Sequence, residues 1–208
     1  YYQMFVLVDD IPSVSKIIKI ESGSITGFGT LNLTAIIQGF YNSSTDTMVS
    51  DTMKVYLRNF TSPYSKVDSS VSMLDSSGAG VFNFGNITNG TNYYLVVKHR
   101  NSIETWSSVA MSFTAGTMTY SFNTAADKAY GKNQIQVDNS PLRFAVYGGD
   151  VNNDGIVNLN DIINVSNSAI NFVSGYVNTD MTGDNFVNLT DLILTQNNSV
   201  KFVRKVTP

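Results

Sequence analysis

Apolar and polar residues alternate through the first two-thirds of the chain, and the period changes near the C-terminus. Val55 and Leu57 oppose Tyr56 and Arg58, and Phe82 and Phe84 flank Asn83. A period of two places such residues on opposite faces of a half-buried strand. It predicts strands over residues 17–20, 31–40, 53–59, 66–74, 80–84, 93–100, 105–113, 118–123 and 142–147. Asp75-Ser-Ser-Gly78 and Asn86-Ile-Thr-Asn-Gly90 supply turn chemistry between them. Strands at this spacing, with no helical pattern between them, predict a mainly β protein with an Ig-like β-sandwich over residues 15–147.

Beyond residue 148 the apolar positions follow i, i+3, i+4 spacing, in Leu159, Ile162 and Ile163 and again in Leu189, Leu192 and Ile193. Each set follows an acidic loop of twelve residues, Asp150 to Asp161 and Asp180 to Asp191. The repeat continues past the helices, with Asn167, Phe172 and Val173 matching Asn197, Phe202 and Val203. A repeat of this kind predicts two similar units packed on each other. Val157 and Val187, at position 8 of each loop, are expected to pair across a short bridge between the loops.

The loop spacing suits calcium, which takes six to eight hard oxygen ligands in a flexible shell. Positions 1, 3, 5, 9 and 12 would supply side chains and position 7 a carbonyl. In the first loop these are Asp150, Asn152, Asp154, Asn158 and Asp161, with the carbonyl of Ile156. In the second they are Asp180, Thr182, Asp184, Asn188 and Asp191, with the carbonyl of Phe186. Position 6 must turn with positive φ. Gly155 does so freely, and Asn185 belongs to the residue types that tolerate that region best among the rest. Two loops in register make two Ca²⁺ ions the expected cofactors.

On these residues, 149–208 resembles the dockerin-type module of secreted bacterial proteins. The resemblance implies two EF-hand-type calcium loops, a compact helical pair and a cohesin-like or surface scaffold as partner. Where the family often carries a Ser-Thr pair at loop positions 10 and 11, this chain has Leu159-Asn160 and Leu189-Thr190. Its positions 18 and 19 are Asn167-Ser168 and Asn197-Asn198, where the family often has basic residues. Upstream, the stretch from Gly80 to Lys98, with its Gly-x-Phe-x-Phe and Tyr-x-Leu-x-Val runs, resembles the hairpin of prealbumin-like (Cna-B-type) sandwiches. That resemblance implies a stalk, spacer or adhesion domain.

Composition narrows the partners. The formal net charge is −3, the two loops hold six of the acidic residues, and no Lys/Arg cluster signals nucleic acid. There is no cysteine, so disulfides contribute nothing. Loops of this type fill where calcium is millimolar, so an extracellular, secreted or surface-attached location is expected. The start at Tyr1-Tyr2-Gln3 is read as that of a mature, processed chain, and no apolar run reaches the length of a membrane helix.

Other candidates carry less chemistry. His99 is the single histidine and is read as a strand or rim residue. Trp106 with Tyr93 and Tyr94 could form a sugar-stacking platform or pack in the core. Lys54 or Lys66 with Glu104 is the nominal set for an isopeptide bond. Among the Asn-x-Ser/Thr triplets, Asn42 and Asn89 are the candidate glycosylation sites. Residues 1–14 form a separate unit in which Met4, Phe5, Val6, Leu7 and Val8 are apolar on both faces and precede a turn. Such a strand wants burial on both sides. It is either the first strand of its own sandwich or a strand donated to a neighbouring copy, and head-to-tail donation would propagate a filament. The expected function is non-enzymatic: a fibre or surface-assembly subunit, an attachment module, or a carbohydrate-binding module.

Overall fold

The computed structural model describes residues 27–208 in full and, before them, only the backbone of residues 2–4, 7–8, 11–12 and 16–18. Phe5 and Val6 of the expected assembly strand lie outside the described residues. The backbone around them pairs within the chain: Met4 opposes Lys16, and Leu7 and Val8 oppose Pro12 and Ile11.

The chain is mainly β, with two helices at its end. The principal strands are β1 (Gly27–Thr34), β2 (Asp51–Asn59), β3 (Lys66–Leu74), β4 (Ala79–Ile87), β5 (Asn92–Lys98), β6 (Thr105–Trp106), β7 (Met111–Ser112) and β8 (Thr117–Ser121). One sheet has the order β4-β1-β8, with β8 parallel to β1. The other has the order β6-β5-β2-β3, with β7 also on β5. Alternation decides the packing. Leu31, Leu33, Phe82, Phe84, Met118 and Tyr120 from the first sheet meet Met53, Val55, Leu57, Tyr93, Leu95 and Val97 from the second in one core. Two small hairpins flank the sandwich, Tyr41–Asn42 with Thr47–Met48 and Ile135–Asn139 with Leu142–Ala145.

Three expectations are corrected and one strand is added. The stretch from Gly80 to Lys98 is not a hairpin: β4 pairs with β1 and β5 with β2, so the chain crosses from one sheet to the other between them. Both strands carry a clean inward face, and two inward faces can meet across a core as well as lie side by side. The predicted strand over 31–40 stops at Thr34. Residues after it remain buried but turn at Gly39, whose φ is +88° and whose added Cβ would fall 2.3 Å from the carbonyl oxygen of Met181. The predicted strand over 105–113 is broken between Trp106 and Met111, where the Ser107 Oγ accepts from the Leu95 amide. The strand Ile135–Asn139 was not anticipated, although Ile135 and Val137 alternate with Gln136 and Asp138; its alternation spans only four residues.

The C-terminal part holds α1 (Leu159–Ile170) and α2 (Leu189–Ser199). Val151, Val165, Met181 and Val187 form its small buried core. Val157 and Val187 do not pair with each other. The Val157 amide donates to the Val203 carbonyl at 2.9 Å, and the Val187 amide to the Val173 carbonyl at 3.0 Å. Each loop therefore bridges to the segment leaving a helix, and the two units interlock through equivalent residues.

The core makes a direct prediction. Phe82 is fully buried, so Phe82→Ala should cost about 3–5 kcal/mol through lost burial and a residual cavity. Met73→Ala, on an exposed position of β3, should stay within about 0.5 kcal/mol. Denaturant unfolding of both variants checks the contrast.

Candidate metal centre

The loops are shaped from inside by their aspartates. Asp150 accepts from the amides of Asp154 and Gly155, at 3.0 and 3.1 Å. Asp161 accepts from the amides of Val151 and Asn158, both at 2.9 Å, and so draws the end of the loop onto its start. Asp180 and Asp191 repeat the scheme, with Asp191 accepting from Met181 and Asn188 at 2.7 and 2.9 Å. Position 6 turns as expected: φ is +92° at Gly155 and +67° at Asn185.

Positions 9 and 12 have a second role that the sequence reading missed. Asn158 caps α1 and Asn188 caps α2, and each forms a capping box with Asp161 or Asp191. These residues satisfy helix N-terminal amides whatever else they bind.

Capping alone does not explain the charge. Asp150, Asp161, Asp180 and Asp191 are all essentially inaccessible, at 0–1% exposure. Burial, and then the charges of Asp161 and Asp154, push the Asp150 carboxyl up to about 6 despite amide bonds that favour its ionised form. Burial also raises Asp161 and Asp191. Like charges held together out of water need a cation or a proton. In the first loop no Lys, Arg or His makes an ion pair with Asp150, Asp154 or Asp161 among the described residues. Nor do three His, Cys, Asp or Glu side chains gather into a closed metal cluster among the described residues. Asn152 donates instead to Asp154 at 2.8 Å, and both side chains are exposed. The donor set is all hard oxygen, three carboxylates in each loop with neutral amide, hydroxyl or carbonyl oxygens, which fits Ca²⁺. Asp150, Asn152, Asp154, Asn158 and Asp161 would hold one ion with the Ile156 carbonyl. Asp180, Thr182, Asp184, Asn188 and Asp191 would hold another with that of Phe186. The ion would neutralise the buried carboxylates and order the loop.

The second loop abuts the sandwich through a network that the sequence did not signal. His99, at 2% exposure, places Nε2 3.1 Å from Asp51 Oδ2 and Nδ1 2.9 Å from Asn101 Oδ1. Arg100 Nε donates to the same Asp51 oxygen at 3.1 Å, and its Nη2 lies 3.6 Å from Asp180 Oδ2. Its Nη1 donates to the Val177 carbonyl, and its guanidinium lies 4.3 Å from the Tyr176 ring and 5.3 Å from that of Phe40. The Tyr176 hydroxyl donates to Asp51 Oδ1 at 2.6 Å. Burial opposes ionisation of Asp51, but bonds from His99 and Tyr176 and the nearby His99 charge outweigh it. The carboxyl stays well below the usual range. Asn101 and Gln38 complete the contact, donating to the Asp180 carbonyl at 2.7 Å and pairing with Asn198. His99 is thus not a rim residue; its partner Asp51 is too distant in sequence for any motif to reveal.

The other candidates are placed as follows. Trp106 cannot offer a sugar platform: it is 4% exposed, Arg58 covers it at 5.2 Å, and Tyr64 and Tyr94 pack edge-on against it. Tyr93 is in the core. The isopeptide set is not assembled, since Glu104 accepts from Trp106 Nε1 at 2.8 Å and its cationic neighbour is Lys205. Asn42 and Asn89 are both exposed, with side chains accepting from the amides of Ser44 and Gly116.

Fold and loops together define a mainly β chain carrying a paired loop–helix unit. No family model matches it, and no curated protein does. Two similar solved structures are mutants of a type II Cohesin-X-Dockerin complex from Acetivibrio cellulolyticus. The C-terminal interface mutant shares 16% identity over 83% of this chain and 95% of the matched one, with a TM-score of 0.47. The N-terminal interface mutant shares 18% over 87% and 96%, with a TM-score of 0.46. Values this low do not tie the chain to what those complexes bind.

Two predictions follow the geometry. Asp154→Ala and Asp184→Ala remove exposed position-5 carboxylates, so each should lower bound calcium by one ion per chain while the fold persists; calorimetric titration counts the ions. The depressed Asp51 carboxyl contributes stability that is present above its unfolded value and lost as pH falls below about 4. Asp51→Asn should cost about 3 kcal/mol by leaving the buried Arg100 guanidinium without its carboxylate and should flatten that acid-side loss in thermal melts between pH 3 and 6.

Proposed function

We propose that the chain is a non-enzymatic, extracellular attachment module whose C-terminal loop–helix pair, ordered by two calcium ions, docks onto a cohesin-like scaffold domain. The observation that carries this reading is a duplicated apolar surface. Leu159 and Leu189 are 64% and 66% exposed at equivalent positions, and Phe172 and Phe202 are 88% and 84% exposed. Ile163 with Ile193 and Ile170 with Val200 extend the set. This many exposed apolar residues on so small a unit, repeated at equivalent positions in both halves, favour an interaction surface. Leu159 and Leu189 occupy loop position 10, where the resembled family carries polar recognition residues, so recognition here is apolar. The sandwich serves as a stalk, and the network at Arg100 holds the pair at a fixed angle to it.

Filament growth through Met4, Phe5, Val6, Leu7 and Val8 is the less favoured reading, because Met4, Leu7 and Val8 already pair within the chain. The two readings separate experimentally. Calorimetric titration against purified cohesin-like domains should give a calcium-dependent complex, and the double variant Leu159→Asp/Leu189→Asp should weaken it at least about a hundredfold, close to 3 kcal/mol. Sedimentation should meanwhile find the isolated chain monomeric. Filaments formed equally well by the double variant would instead favour self-assembly.

A further inference from the structure

The two loops are not electrostatically equivalent, although their sequences repeat. In the first, position 1 is Asp150, and its carboxylate accepts only from amides of its own loop. The loop meets the sandwich through neutral bonds: Asn153 Nδ2 to the Arg100 carbonyl at 3.0 Å, and the Gly149 amide to the Asn101 carbonyl at 2.8 Å. In the second, position 1 is Asp180, and a sandwich cation reaches it, with Arg100 Nη2 3.6 Å from Oδ2. Arg100 cannot easily leave. Its side chain is 9% exposed, its Nε is fixed on Asp51 and its Nη1 on Val177, and Phe40 and Tyr176 flank its guanidinium. The same residue therefore touches both loops, with its carbonyl on the first and its charge on the second.

We propose that Arg100 is a built-in counter-cation of the second calcium loop, so that loop two stays folded and docked without calcium and binds it more weakly, whereas loop one depends on calcium for its order. The proposal rests on the calcium reading above. A buried cation close to a ligand carboxylate has two consequences. It offsets the cost of burying that carboxylate when no ion is bound. It also repels an incoming dication through a low-dielectric path. Calcium entering loop two must share Asp180 with Arg100; at loop one the nearby cation is Lys205, which passes over the Gly155 turn but pairs with Glu104, and among the described residues it makes no ion pair with Asp150, Asp154 or Asp161. The order of filling is then set by the sandwich, through a residue eighty positions upstream of the loop it governs.

The probe is calcium alone, on the full chain. Asp184→Ala leaves loop one to be measured and Asp154→Ala leaves loop two. Calorimetry should find loop one tighter by about tenfold or more. Arg100→Met, placed in the Asp154→Ala background, should tighten loop two by about the same factor. Arg100→Lys, which keeps the charge, should leave it within about threefold. Loop-one affinity, read in the Asp184→Ala background, should not respond to Arg100→Met. An independent measurement needs no change at Arg100: on chelation of the unmodified chain, amide hydrogen exchange should accelerate across residues 150–161 and change little across 180–191. Equal affinities in the two single-loop variants, or equal acceleration in both loops on chelation, would overturn the proposal while leaving the calcium sites intact. Absence of any calcium binding would overturn the calcium reading itself, and this proposal with it.

Discussion

Two carboxylates of the same sign, buried at opposite ends of each twelve-residue loop, set the shape of everything beyond residue 148. Asp161 closes the first loop on the amide of Val151, and Asp191 closes the second on that of Met181. The same two side chains complete the capping boxes, so loop closure and helix start are a single event. Once the helix directions are fixed, Val157 and Val187 can reach Val203 and Val173, and the two units lock together. The arrangement concentrates negative charge where water cannot screen it. Carboxylates buried in this way need a counter-cation or a proton, a demand that the proposed calcium ions would meet. A core of four buried side chains would not by itself sustain that cost.

The sandwich is coupled to the module through polar contacts more than apolar ones. Ile103 packs with Val157 and Val203, but the specific contacts are those of Gln38, His99, Arg100 and Asn101. Each of these buried groups finds a partner, and such a network fixes orientation more sharply than an apolar contact of similar size. Gly39 and Gly183 make the close approach possible. A Cβ at Gly39 would strike the Met181 carbonyl, and one at Gly183 would fall 2.6 Å from the Phe40 ring. In the proposed role this matters, because a partner binding a fixed surface loses less motion than one binding a swinging tail.

Much of this was legible in the sequence where the information is local. Alternation across β3 marked its ends, Lys66–Leu74, as the structure has them. The loop spacing marked the turn at Asn185 and the start of both helices. What alternation cannot say is which sheet a strand joins. Phe82 and Tyr93 both point inward, yet β4 and β5 lie in opposite sheets. The cluster around Trp106 misled for a related reason. Aromatic residues with a polar tip suit both a wet platform and a covered edge, and only the third dimension brings Arg58 and Tyr64 over the ring. The Asp51–His99–Arg100 network left no trace, because its parts come from a strand start, a strand end and a loop of the other unit.

The helices show why a correct period can still be read with the wrong face. The spacing of Leu159, Ile162 and Ile163 resembles a core-facing stripe, and a helix was the right inference. Yet the residues that α1 buries are Asp161 and Val165, while Leu159 and Ile163 face solvent. The module's interior is too small to absorb two apolar stripes per helix, and the aspartate that closes the loop must point inward. Position 12 thereby fixes the rotation of each helix about its axis and turns the leucine at position 10 outward. The loop chemistry and the exposed apolar surface are for this reason one design. Any sequence that turns Asp161 and Asp191 inward to close these loops also commits Leu159 and Leu189 to the surface.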